Sequence, residues 1–279
     1  MNVWDIKVLY LGKITLPFST MLSVTYAFGA PKIDEDFIMS VPYLGFLLRC
    51  DGHNVVVDTG ISEKFIVGGR AWGGLEAEGG KDHVKKALAK ESVSPTDINT
   101  VIYTHLHNDH AGNCDLFTNA SHIFQRDEWM NLLEPLPIQN VRKDYDQELI
   151  EELRSAKCIR VEGDFELANG IRIYKTPGHT RGSQSVAVNT KKGVVVLVGD
   201  TLPAYISAFP HLTDIVDMEG NRHRVPPAPR VFGPAIPSSI TYDFYSFYDS
   251  VGKIKAIAAR DEPGFIIPGH ETSLVITGI

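Results

Sequence analysis

Cysteine is scarce: Cys50, Cys114 and Cys158 are the only three in 279 residues, an odd number with no C-x-x-C spacing. That excludes a disulfide framework and a thiolate zinc site, and it fits reduced thiols in a cytoplasmic protein. Long hydrophobic runs are missing too; none approaches the roughly 20 residues that cross a bilayer. The first residues, Met1-Asn2-Val3-Trp4-Asp5-Ile6, lack a basic region ahead of an apolar core, so no secretory signal is expected. Positive charge is in deficit, with 27 Lys and Arg against 34 Asp and Glu for a net charge of -7. Basic residues gather only in pairs such as Lys85-Lys86 and Lys191-Lys192. Nucleic acid and anionic membranes need a basic surface, so neither is expected as a main partner, and a small-molecule substrate is. No linker or low-complexity tract divides the chain, and a 43% hydrophobic share is enough for a full core. One domain over residues 1–279 is expected, as monomer or homodimer.

Histidine and aspartate, by contrast, are concentrated. Thr104-His105-Leu106-His107-Asn108-Asp109-His110 packs four metal-binding side chains into six residues, in the pattern H-x-H-x-D-H. The preceding Asn99-Thr100-Val101-Ile102-Tyr103 is β-branched and apolar and reads as a buried strand. The cluster therefore stands where a strand runs into a loop, on a rigid support. A lone loop histidine is usually a surface residue; three with an aspartate in so short a span are not.

Elsewhere the pattern predicts strands over 6–11, 44–50, 54–58, 121–125, 158–161, 171–176, 184–189, 193–198 and 264–268. Asp51-Gly52 makes a hairpin turn signal, and 68–80 reads as a glycine-rich loop around Trp72. Helices are expected over 82–90, 127–133, 145–155 and 242–259. Residues 19–40 are irregular and could form a flap, and 202–239 is proline-rich without a period. Two valine-rich strands end alike, at Val57-Asp58 and at Val198-Gly199-Asp200, which suggests two related β-rich halves.

Three more residues share one grammar of apolar strand, glycine turn and ligand: His179 in Thr176-Pro177-Gly178-His179, Asp200 in Gly199-Asp200, and His270 in Pro268-Gly269-His270. Counting ligands predicts that His105, His107 and His179 hold one ion, that Asp109, His110 and His270 hold a second, and that Asp200 bridges them. Each ion then keeps an open position, the mark of a catalytic site. Imidazole and carboxylate donors without thiolate favour Zn²⁺ for both divalent ions, with Mn²⁺, Fe or Co²⁺ as alternatives. Two ions sharing a water bring its pKa from 15.7 toward about 7.

These motifs, with Val57-Asp58-Thr59-Gly60, are similar in content and order to those of the metallo-β-lactamase superfamily, over about Leu44 to His270. The resemblance implies an α/β fold, a four-layer αβ/βα sandwich with the metals at one sheet edge and Asp58 supporting the metal loop. Within that superfamily the chain is most similar to the N-acyl homoserine lactonases. Val41-Pro42-Tyr43-Leu44-Gly45-Phe46-Leu47-Leu48, Asn113-Cys114-Asp115-Leu116-Phe117, Phe124-Gln125-Arg126-Asp127-Glu128-Trp129 and Gly182-Ser183-Gln184-Ser185 carry that likeness. It implies a quorum-quenching lactonase that opens a cyclic ester by attack of a metal-bridging hydroxide, with Asp109 as catalytic proton carrier. Two departures fall on the substrate side. The lactonases carry a substrate-contacting tyrosine three residues after the bridging aspartate, where this chain has Pro203. The stretch 202–239 also reads as an insertion.

Tyr205 could stand in for the missing tyrosine, or simply pack in a loop wall. Phe18, Met21, Tyr26, Phe28 and Trp72 could line an acyl pocket, or hold loops down. His211, Arg222, His223 and Arg224 read mainly as solvated loop, and His53, His83 and His122 as structural or exposed. The nearest alternative is a hydrolase of the same fold acting on a β-lactam, another cyclic amide or a thioester. A di-iron redox protein is further off, because such relatives have an acidic residue where His107 stands.

Overall fold

Along Phe46-Leu47-Leu48 and Val55-Val56-Val57 successive side chains enter two different cores, and this period of two sets the architecture. The computed structural model describes residues 2–21, 38–225, 227–228, 231 and 233–279. Its first sheet holds β1 (Asp5–Pro17), β2 (Ile38–Cys50), β3 (His53–Val57), β4 (Arg70–Ala71), β5 (Leu75–Glu78), β6 (Thr100–Ile102), β7 (Ser121–Gln125) and β8 (Lys157–Val161). Their order is β4-β5-β1-β2-β3-β6-β7-β8. The second sheet holds β9 (Phe165–Ala168), β10 (Ile171–Lys175), β11 (Gln184–Thr190) and β12 (Gly193–Gly199). A small hairpin of β13 (Asp214–Val216) and β14 (Arg222–Arg224) precedes its last strand, β15 (Ile266–Pro268). The order there is β15-β12-β11-β10-β9.

Between them come α1 (Lys81–Lys90), α2 (Asn108–Ala111), α3 (Arg126–Leu133), α4 (Pro137–Arg142), α5 (Leu149–Ser155), α6 (Tyr205–Ala208), α7 (Phe244–Ile257) and α8 (Leu274–Thr277). Leu47, Val56 and Val101 pack outward against Leu88 of α1, Leu132 of α3 and Leu153 of α5. Phe46, Val55, Val57 and Ile102 point inward and meet Ile173, Val186, Val195 and Leu197 of the second sheet. On its far side Val196 and Val198 pack against Phe247, Val251 and Ile254 of α7. This is the four-layer αβ/βα sandwich. Each such side chain, fully buried, contributes about 1.5–3 kcal/mol, and the continuous valine runs suit strands covered on both faces.

β3, β6, β7 and β8 run parallel to one another, as do β12 and β15. The two valine-rich hairpins fall one in each sheet, β2–β3 and β11–β12. At the Asp51-Gly52 turn both residues have positive φ, 47° and 79°, the geometry that suits a two-residue hairpin.

The structure departs from the expectations in places. Residues 68–80 hold the short pair β4–β5, and β9 and α4 were not anticipated, because elements this short show no period. The helix expected from Tyr145 starts at Leu149, since the Tyr145 hydroxyl is drawn inward to Glu128. Stretch 202–239 carries α6 and the β13–β14 hairpin. Most of the expected flap, including Tyr26 and Phe28, lies outside the described residues. Among the described residues no helix is long and apolar enough to cross a membrane.

Candidate metal centre

Loops leaving β6 of the first sheet and β10, β12 and β15 of the second bring all seven expected donors together at one end of the sandwich. His179 Nε2 lies 3.2 Å from His105 Nε2 and 3.1 Å from His107 Nδ1. On the other side His270 Nε2 lies 3.0 Å from Asp200 Oδ1 and 3.6 Å from Asp109 Oδ2. His110 Nε2 lies 3.3 Å from Asp200 Oδ1 and 3.8 Å from Asp109 Oδ2. Asp200 turns its other oxygen, Oδ2, toward His179 Nε2 at 3.8 Å. One carboxylate thus faces both groups.

The donor set fits metal ions. Ligand atoms about 2.0–2.1 Å from a tetrahedral ion stand about 3.3 Å apart, close to the spacings found. His110 Nε2 and Asp200 Oδ1 are buried without a hydrogen-bond partner although they face each other, as atoms aimed at a common third point do. Such orphaned polar atoms are rare in a folded interior and call for a ligand.

The surroundings orient these donors. Asp58 Oδ1 accepts from Thr104 N–H at 2.8 Å, and its Oδ2 accepts from Thr104 Oγ1 at 2.7 Å and from His110 Nδ1 at 2.9 Å. The contact assigns the proton to His110 Nδ1 and turns the Nε2 lone pair inward. His270 Nδ1 donates to the Pro42 carbonyl at 2.8 Å with the same effect. Gly199 is required: its φ is 51°, and a Cβ there would sit 2.5 Å from Thr104 Oγ1.

Glu128 is a site residue the sequence reading did not single out. It is fully buried and accepts from Leu106 N–H at 3.0 Å, Tyr145 Oη at 2.7 Å, Thr180 Oγ1 at 2.6 Å and Gly182 N–H at 3.2 Å. It thereby ties the loop of His105 and His107 to the loop of His179. In sequence it passes for an ordinary acidic residue in the first turn of a helix.

Burial pushes the His107 and His179 imidazoles down to about 3, and His105 well below its usual value, so all three are neutral lone-pair donors at neutral pH. Burial acts the same way on His110 and His270, but the carboxylates around them, Asp200 foremost, outweigh it and raise both. Burial raises the Asp109 carboxyl.

His107, Asp109, Asp200 and His270 form the floor of a cavity of about 910 Å³ whose walls include Ile14, Leu16, Met21, Val41, Phe65 and Trp72. Met21 and Trp72 thus stand where an acyl pocket would need them, whereas Phe18 lines a smaller neighbouring pocket of about 190 Å³. Pro203 lines the main cavity. Tyr205 does not take the place of the missing tyrosine: its hydroxyl accepts from Gly264 N–H at 3.1 Å, and its side chain lines the smaller pocket. His211, Arg222, His223 and Arg224 are absent from the cavity wall, and His223 pairs with Asp217 at 2.7 Å. His122 is buried against Tyr103 Oη at 2.8 Å, while His53 is exposed.

The family model of the metallo-beta-lactamase superfamily matches residues 44–270. An N-acyl homoserine lactonase of Bacillus cereus is 31% identical over 168 residues, 58% of this chain and 64% of that protein. The matched stretch therefore spans less than two thirds of that relative. A crystal structure of an N-acyl homoserine lactone hydrolase with the product N-hexanoyl-L-homoserine at its catalytic metal centre superposes with TM-score 0.69, covering 97% of this chain and 94% of that one at 24% identity. AidC, a dizinc quorum-quenching lactonase in complex with product, superposes with TM-score 0.66, covering 92% of this chain and 85% of that one at 16% identity. Both likenesses are likenesses of fold.

Proposed function

The chain belongs to the metallo-β-lactamase superfamily, and from that premise we propose that it is a metal-dependent hydrolase opening a cyclic ester, with N-acyl homoserine lactones as the first candidates. The observation that carries this reading is the pair of donor groups sharing Asp200 at the floor of a largely apolar cavity. In this reading His105, His107 and His179 would hold one divalent ion, Asp109, His110 and His270 would hold the second, and Asp200 would be shared between them. The nitrogen and oxygen donors favour zinc. Bound there, the ions supply Lewis acidity and bring the pKa of a shared water toward about 7.

The chain's own groups do the rest. Asp109, whose Oδ2 faces His110 and His270 at the cavity floor, takes the proton from the attacking water and returns it to the ring oxygen as the ester C–O bond breaks. A ring keeps both product halves in one molecule, so one apolar cavity suffices. Residues 1–279 act as one domain, and the stretch 202–239, which contributes Pro203, Ser238 and Ser239 to the cavity wall, is its substrate-side insertion.

A panel of acyl homoserine lactones, other lactones, a chromogenic β-lactam and a glutathione thioester, with and without chelator, tests the reading. Chelator-sensitive opening of a lactone is expected. Turnover of β-lactam or thioester but no lactone would overturn the substrate, and chelator-insensitive turnover would overturn the mechanism.

A further inference from the structure

Tyr43 sits in β2 where the ladder with β1 is broken. Pro42 pairs with Lys13 and Leu44 with Tyr10, so Leu11 and Gly12 together oppose Tyr43 in a bulge. Bulges re-aim side chains and are frequent beside active sites. Here the ring is 1% exposed, edge-on to His270 at 6.1 Å between centroids and tilted against Trp72 at 6.2 Å. It lines the cavity together with Asp109 and His270, and the carbonyl of Pro42, one residue before it, receives His270 Nδ1–H. One piece of strand thus sets both a floor imidazole and this phenol.

The Tyr43 hydroxyl is buried and has no hydrogen-bond partner among the described residues. An unpaired buried hydroxyl is costly, and phenylalanine would fill the same space without that cost. A buried tyrosine normally finds a partner for its O–H, and none is supplied among the described residues. Tyr43 is itself part of the cavity wall, beside Asp109 and His270.

We propose that Tyr43 Oη is a substrate-contacting donor: it gives a hydrogen bond to an oxygen of the bound ester on the His270 side of the floor, and to the carboxylate of the opened product. This rests on the hydrolase reading above and adds a specific contact to it. The phenol neither gains nor loses a proton in the cycle; it binds and orients.

The test is Tyr43→Phe in the metal-loaded full chain. Metal content should match wild type and Tm should be equal or higher, because no described residue loses a partner. The kcat/KM on the best substrate should fall about tenfold, and calorimetric affinity for ring-opened N-hexanoyl-homoserine should fall about five- to tenfold, as for loss of one hydrogen bond. Unchanged kcat/KM and probe affinity would overturn the inference, and so would a lower Tm or lost metal, which would mark a structural hydroxyl. If the wild type prefers a thioester or β-lactam, the lactone reading fails and the same comparison on that substrate decides Tyr43. A wild type that hydrolyses no panel member and does not bind the probe overturns both.

Discussion

His110 Nδ1 meets Asp58 Oδ2 at 2.9 Å, and both side chains are only 1% exposed. The pair joins the end of the first valine-rich hairpin to the helix that follows the His-x-His motif. Because Asp58 also holds Thr104 through its backbone N–H and its hydroxyl, three donors on the metal loop depend on one carboxylate.

Asp58→Asn keeps the volume but offers one acceptor oxygen instead of two. Affinity for zinc should fall about 10–100-fold, the usual effect of losing a group that orients a ligand. Competition against a chromophoric chelator measures it, with circular dichroism to show that the fold persists.

Asp109→Asn separates ligation from proton transfer. The amide oxygen still faces His110 and His270, so much of the metal should stay, while kcat falls about 10²–10⁴-fold with the loss of the proton carrier. Full activity at wild-type metal content would remove Asp109 from that role.

Protonation of the metal-free site has a definite sign. His110 and His270 are raised by the carboxylates that outweigh their burial, so each holds its proton to higher pH than a free imidazole, and an incoming ion must displace it. Metal affinity should therefore weaken as pH falls, and calorimetry in buffers of different ionisation enthalpy should register proton release. Stability of the metal-free chain follows the same linkage. Raised His110 and His270 contribute stability fully present below about pH 6.5 and lost as pH rises through their folded values. Depressed His107 and His179 contribute stability present above about 6.5 and lost as pH falls toward about 3. Urea titrations across pH should show metal-free stability greatest near 6.5.

Glu128→Gln tests the clamp between the two histidine loops. Four donors point at this carboxylate, and the amide's NH₂ would be set against some of them. A loss of about 3 kcal/mol is expected in urea unfolding, together with weaker metal retention.

Tyr205→Phe serves as a contrast to Tyr43→Phe. It removes the acceptor of Gly264 N–H, so stability should drop by about 1 kcal/mol while kcat/KM stays at the wild-type value. Lost turnover would return Tyr205 to the substrate.

The side chains that meet at this centre were legible in sequence because they stand in short local patterns: H-x-H-x-D-H directly after a β-branched strand, and an apolar strand, a glycine turn and a polar side chain at His179, Asp200 and His270. The strands that carry them were legible for the same reason, since runs such as Val194-Val195-Val196-Leu197-Val198 survive only when both faces are covered. Short elements such as β4, β5, β9 and α4 were not, because two to six residues carry too little period to separate strand, helix and loop. Glu128 escaped notice because nothing local distinguishes a buried clamp from a solvated helical glutamate; its four partners come from residues as far apart as Leu106 and Gly182.

By itself, then, the order of residues determined the chemistry on offer: which imidazoles and carboxylates exist, and that strand ends would collect them. Only the tertiary structure decided which tyrosine faces the cavity. Tyr205, near Asp200 in sequence, spends its hydroxyl on Gly264, whereas Tyr43, more than 150 residues away from Asp200 along the chain, keeps its hydroxyl unpaired beside the floor. Ligand identity is a property of side chains in local patterns, but a free hydroxyl is a property of everything packed around it, and that is settled only when the sheets close.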